Sequence, residues 1–204
     1  MARPARRARP LLWPALACLL AVATVGDTPG NTALPVSAGL PATPAVASVA
    51  GGKVAVPPPW APIRLDLPSI AAHAPIRPVA VTGTALDVPD DPAVVGWWQA
   101  GGRVGQPGAA LVLDGHVDNA TTGPGALFHL AALVPGDTLV LTTDDGVRHP
   151  WTVDTVRSYP KAALPVDLFA PATPPRLVVV SCGGRFDRRT RQYADNIVAI
   201  AHQA

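Results

Sequence analysis

Leu177-Val178-Val179-Val180-Ser181-Cys182-Gly183-Gly184 is a run of strand-forming residues that stops on a thiol and two glycines. Leu111-Val112-Leu113-Asp114-Gly115-His116 repeats that pattern with an imidazole at its end. Short aliphatic runs bounded by glycine read as buried strands. Such a strand delivers the side chain at its end to a fixed point, and the glycines beside it let a substrate backbone approach. A thiol attacks well only as thiolate, and imidazole is the side chain suited to exchange a proton with it near neutrality. Cys182 and His116 are therefore the candidate nucleophile and acid/base partner.

Working outward, the same texture recurs over Ile63–Ile70, Ile76–Val81, Thr138–Thr143, Trp151–Val156 and Ile197–Ala201. Turn signals separate these runs, notably Pro135-Gly136-Asp137 and Asp144-Asp145-Gly146. Two stretches read as helical: Pro92–Trp98 behind an Asp91 cap, and Gly125–Leu133, where Leu127, Phe128, Leu130 and Leu133 fall at helical spacing. Many short strands and few short helices predict an all-β domain over residues 60–204, folded as a closed or nearly closed β-barrel.

The segments before residue 60 carry a different message. Arg3, Arg6, Arg7 and Arg9 precede an apolar run from Leu11 to Val25, so residues 1–27 read as an export signal. Two versions stay open. Ala21-Val22-Ala23 has the small residues of a cleavage site, whereas retention would leave a single N-terminal membrane anchor, with Cys18 buried in the membrane. Either way the basic flank puts the rest of the chain outside the cytoplasm, at the cell membrane or secreted. Residues 28–59, ending in Pro57-Pro58-Pro59, have the Pro/Ala-rich composition of a flexible linker. Cys182 is then the sole cysteine of the exported part, where a structural cysteine ordinarily needs a second one to pair with.

Composition excludes other classes. The net charge is +2, and much of the basic excess lies in the first nine residues, so no basic face remains for nucleic acid. One cysteine and one histidine without close companions fall short of a zinc ligand set, and no dense acidic cluster suggests calcium; neither metal nor cofactor is expected. His73, His129, His149 and His202 lack glycine flanks and read as structural. Arg185, Arg188, Arg189 and Arg191 follow the cysteine, and at most one of them is expected to meet the oxyanion formed when a carbonyl is attacked.

From Ile63 to Ala201 the sequence resembles the sortases, and most closely their actinobacterial class F. The likeness is carried by Gly96-Trp97-Trp98, Leu113-Asp114-Gly115-His116-Val117-Asp118, Phe128–Leu133 with Gly136-Asp137, Val180–Asp187 and Tyr193-Ala194-Asp195-Asn196-Ile197-Val198. The resemblance implies an eight-stranded barrel in which Cys182 attacks the Thr–Gly amide of an LPXTG-like sorting motif on a secreted protein. An amine of a peptidoglycan precursor or a pilin would resolve the thioacyl enzyme, with His116 as acid/base. Sortases carry an arginine at the start of the last strand; here Asn196 stands there, beside Asp195 and Ala194. Arg191, whose guanidinium could reach across a loop end, is the first expectation for the oxyanion, and Asn196 is the alternative. Asp118 either orients the imidazole or its loop, or caps a turn. A hydrolytic cysteine peptidase using the same pair, and a non-catalytic wall-binding barrel, are the competing readings.

Overall fold

In the computed structural model the described residues are 18–19, 59–82 and 85–204. The export segment apart from residues 18–19, and nearly all of the linker, lie outside them. Eight strands close into one barrel: β1 (Pro62–Leu67), β2 (Ala72–Val79), β3 (Val95–Trp98), β4 (Ala110–Gly115), β5 (Thr138–Thr143), β6 (Arg148–Pro160), β7 (Arg176–Asp187) and β8 (Gln192–Gln203). Round the barrel the order is β5-β6-β8-β7-β4-β3-β2-β1, with β1 returning to β5. The β2/β3 and β4/β7 pairs are parallel, and the other pairs are antiparallel. A parallel neighbour needs a crossover, and closure removes the open edges that a flat sheet would expose.

Alternation along the strands sorts the side chains into two cores. Leu65, Ile76, Trp97, Leu111, Leu113, Leu141, Trp151, Leu177 and Val179 fill the interior. The alternate residues Val112, Val178, Val180 and Val198 lie on the outside of the wall, under Leu86 and Leu168. This second cluster explains why β4 and β7 read as continuous apolar runs, since both of their faces are covered. Leu168 comes from the β6–β7 connection, where Val166–Phe169 forms a 3-10 turn whose Asp167 and Ala170 carbonyls accept from Arg176.

Two expectations need correction. Pro92–Trp98 is not helical: the Asp91 carboxylate accepts from the Ala93 amide at 2.9 Å and makes a turn, after which Val95–Trp98 runs as β3. Trp97 points into the barrel and donates through Nε1 to the Gly102 carbonyl at 3.0 Å. Gly125–Leu133 is a chain of turns with 3-10 geometry at Leu130–Ala132. Leu127, Leu130 and Leu133 are buried as their spacing suggests, whereas Phe128 is 40% exposed. Ahead of the barrel, Cys18–Leu19 runs antiparallel to Ala85–Leu86 as a two-residue strand.

Leu113 is fully buried in the interior cluster. Leu113→Ala should therefore lower the unfolding free energy by about 2–5 kcal/mol, read by urea denaturation. A change below about 0.5 kcal/mol, the size of an ordinary surface substitution, would contradict this core.

Candidate active site

The site grows from the alternation of three adjacent strands. On β4 the outward positions are Val112, Asp114 and then His116 just past the strand end; on β7 they are Val178, Val180 and Cys182; on β8 they include Val198 and Asn196. Each row begins apolar, under Leu86 and Leu168, and ends polar. The parallel register pairs Val180 with Asp114 and Ser181 with Gly115, so the next residue on each strand is Cys182 on one and His116 on the other. Ser181 locks this register by donating from Oγ to the Gly115 carbonyl at 2.9 Å. Both Cys182 and His116 are half-buried, neither sealed inside the barrel nor on opposite sides of it.

Antiparallel pairing with β8 sets Asn196 directly across from Cys182. Asn196 is 1% exposed and is also the register partner of Tyr159 on β6. Arg191 lies elsewhere, in the left-handed turn between β7 and β8 (φ 58°), and is exposed. Five residues of chain separate it from Asn196, roughly 17 Å of extended strand at about 3.4 Å per residue. Register thus brings Asn196 beside the thiol. The glycines after the cysteine are required by packing: a Cβ on Gly183 would collide with Ile197, and Gly184 combines φ +74° with an Asp195 carboxylate that a Cβ there would strike.

His116 is oriented by its surroundings. Its Nε2 lies 2.9 Å from the Pro89 carbonyl oxygen, and because a carbonyl only accepts, Nε2 carries the proton. Nδ1 is then the nitrogen through which the neutral ring accepts a proton. Asp118 ties its own loop, just after His116, to β8. It accepts from the Tyr193 hydroxyl at 2.5 Å, while Tyr193 packs on Phe186 with ring centroids 5.0 Å apart. That bond, then burial and the charges of Asp118 and Cys182, push the phenol up to about 12. Sequence reading gave no role to Asp114 or Tyr193. A carboxylate in the outward row of an otherwise aliphatic strand was the available signal for the first; nothing local marked the second.

A thiol and an imidazole on neighbouring strand ends, with a buried amide alongside, are the groups that cysteine-dependent acyl transfer uses. A model of the sortase domain matches residues 65–204, more than half of the chain. The chain belongs to the sortase family, whose members are cysteine transpeptidases. Among solved structures it is similar to a lid mutant of sortase A from Corynebacterium diphtheriae, at 20% identity over 69% of this chain and 68% of that one, with a TM-score of 0.53. It is also similar to Streptococcus agalactiae sortase C1 in complex with MTSET (17% identity, 69% and 67% covered, TM-score 0.54). Sortase C-1 from Actinomyces oris is a further likeness (16% identity, 69% and 72% covered, TM-score 0.51). At such identities the likeness is one of fold. No curated protein matches the sequence.

The phenol of Tyr193 is raised in the folded state, so its bond to Asp118 stabilises the fold fully below pH 10 and ceases to do so as pH climbs through about 12. In a Tyr159→Phe background, phenolate absorbance should show the remaining tyrosine ionising near 12, and Asp118→Asn should return it toward 10. Coincident titrations with and without the Asp118 carboxylate would deny the bond.

Proposed function

We propose that this sortase is a class F transpeptidase, tethered to the membrane by its N-terminal segment, that cuts an LPXTG-like motif between Thr and Gly. The observation that carries the proposal is the parallel β4/β7 register, which brings His116 and Cys182 to the same end of neighbouring strands. The motif residues at 113–118, 180–187 and 193–198 support class F, and the arginine-flanked apolar run supports the tether.

In this reading the Cys182 thiolate adds to the threonine carbonyl carbon, forming the C–S bond. The C–N bond to glycine then breaks as the imidazolium of His116 gives its proton to the leaving amine. An incoming amine from a peptidoglycan precursor or a pilin adds to the thioester, passes a proton to His116 and expels the thiolate. No cofactor enters the balance. Asn196 is the favoured donor to the oxyanion, because it faces Cys182 across the β7/β8 pair. A hydrolytic peptidase differs only in the last step, where water replaces the amine.

Cys182→Ala should abolish release of the Gly-containing fragment from LPXTG-type peptides, and mass spectrometry of the wild type should find the peptide acyl group on the Cys182 fragment. Added triglycine should yield ligated product; cleaved peptide alone would assign hydrolysis, and turnover by Cys182→Ala would end the proposal. Losing one oxyanion donor costs on the order of a hundredfold in kcat. Asn196→Ala should show that loss and exceed Arg191→Ala; the reverse order would return the role to Arg191.

A further inference from the structure

Between Val112 and His116 on the outer row of β4 stands a carboxyl group that the reaction above does not use. Asp114 is 2% exposed, and neither of its carboxyl oxygens has a hydrogen-bond partner among the described residues. A buried polar group in that condition is costly, and more so when charged. Beside Val112 on its own strand and Val180 across the pairing, a valine here would pack without that cost.

The surroundings are shaped around the carboxyl. Gly96 on β3 is the register partner of Asp114, and a Cβ at residue 96 would lie 2.7 Å from Asp114 Oδ1. The same Cβ would meet Pro89 Cδ and Val79 Cγ1, each at 3.1 Å. Glycine at 96 is thus what leaves room for an acid at 114, and the Pro89 that closes this cell is also the residue whose carbonyl holds His116 Nε2. Asp114 therefore adjoins both members of the reacting pair: His116 two residues along its own strand, and Cys182 two residues beyond its register partner Val180.

The ionisable groups around it are few. Strand β7 presents Cys182, the segment leading to Pro89 presents Asp87, and β4 itself presents His116; β3 contributes none over Val95–Trp98. On β2 the register partner of Gly96 is Arg77, which is exposed; Asp90 and Asp91, after Pro89, are exposed too. Burial first, then the negative charges of Cys182 and Asp87, holds the Asp114 carboxyl well above the ordinary carboxylate range.

We propose that Asp114 is a positioning residue that sets the pH at which Cys182, beside His116, becomes thiolate. Protonated, it leaves thiolate and imidazolium as the only charges of that pair. Ionised by loss of its proton to solvent, it puts a second anion on the same outer row, and the thiolate is disfavoured. The inference rests on Cys182 and His116 being the reacting pair.

The test follows alkylation of Cys182 by iodoacetamide against pH in the full chain, read on the Cys182 peptide by mass spectrometry. Wild type is compared with Asp114→Asn, which keeps the shape and cannot ionise, and with Asp114→Ala, which also removes the charge but leaves a void. Both variants should reach their half-maximal rate about one to two pH units below wild type, the size expected for two like charges roughly 6–12 Å apart at an effective dielectric near 20.

Superimposable profiles for wild type and Asp114→Asn overturn the inference, as does a shift to higher pH. A shift in Asp114→Ala without one in Asp114→Asn assigns the effect to packing and overturns it equally. Should melting followed by circular dichroism show that the Asn variant does not fold, Asp114→Ser is judged by the same criteria. Alkylation needs no peptide, so this profile stands apart from the sorting-motif reading, which fails instead if Cys182→Ala still cleaves.

Discussion

The parallel pairing of β4 with β7 is the constraint on which the rest of the molecule depends. Two antiparallel strands would end at opposite sides of the sheet, whereas parallel neighbours end together. Here the shared end carries His116 on one strand and Cys182 on the other, locked by the bond from Ser181 to the Gly115 carbonyl. Parallel pairing also demands cover on both faces of the wall. The interior cluster covers one face, and Leu86 and Leu168 cover the other, which leaves the polar ends of the rows beyond that cover as the half-open site.

The candidate reacting groups are thus continuations of hydrophobic rows. Val178 and Val180 precede Cys182, Val112 and Asp114 precede His116, and Val198 stands beside Asn196 along β8. A thiol placed this way inherits the rigidity of the strand, and rigid placement is worth more to catalysis than loose proximity. The glycines act on the same principle from the other side. Gly183 and Gly184 allow β7 to press against Ile197 and Asp195, and Gly96 leaves room for the carboxyl of Asp114.

Much of this was legible in the amino-acid order because the rows alternate and stop abruptly. The Leu177–Cys182 and Leu111–His116 runs declared both strands and the thiol and imidazole at their ends, and Thr138–Thr143 matches β5 at both ends. The failures have physical causes. Strand β3 was hidden behind Asp91, whose carboxylate caps a turn as readily as a helix, and its four residues are too few to show a period. Strands β6, β7 and β8 extend past their apolar centres because antiparallel hairpins continue through exposed residues such as Arg185 and Gln192. The pairing of Cys182 with Asn196 was not legible, because register across a hairpin is set by its turn, here the one that holds Arg191 at φ 58°. Partners distant in sequence, such as Tyr193 with Asp118 or His116 with Pro89, are set by folding alone.

What the account stands on most directly is the proximity of imidazole and thiol, and a through-space proton measurement reads it without substrate. Nuclear Overhauser spectra of the folded protein should show cross-peaks from the His116 ring protons to the Cys182 β-protons, accompanied by contacts to the Pro89 ring. Ring protons of His116 that meet neither residue, while β4 and β7 are demonstrably intact, would contradict the site as described.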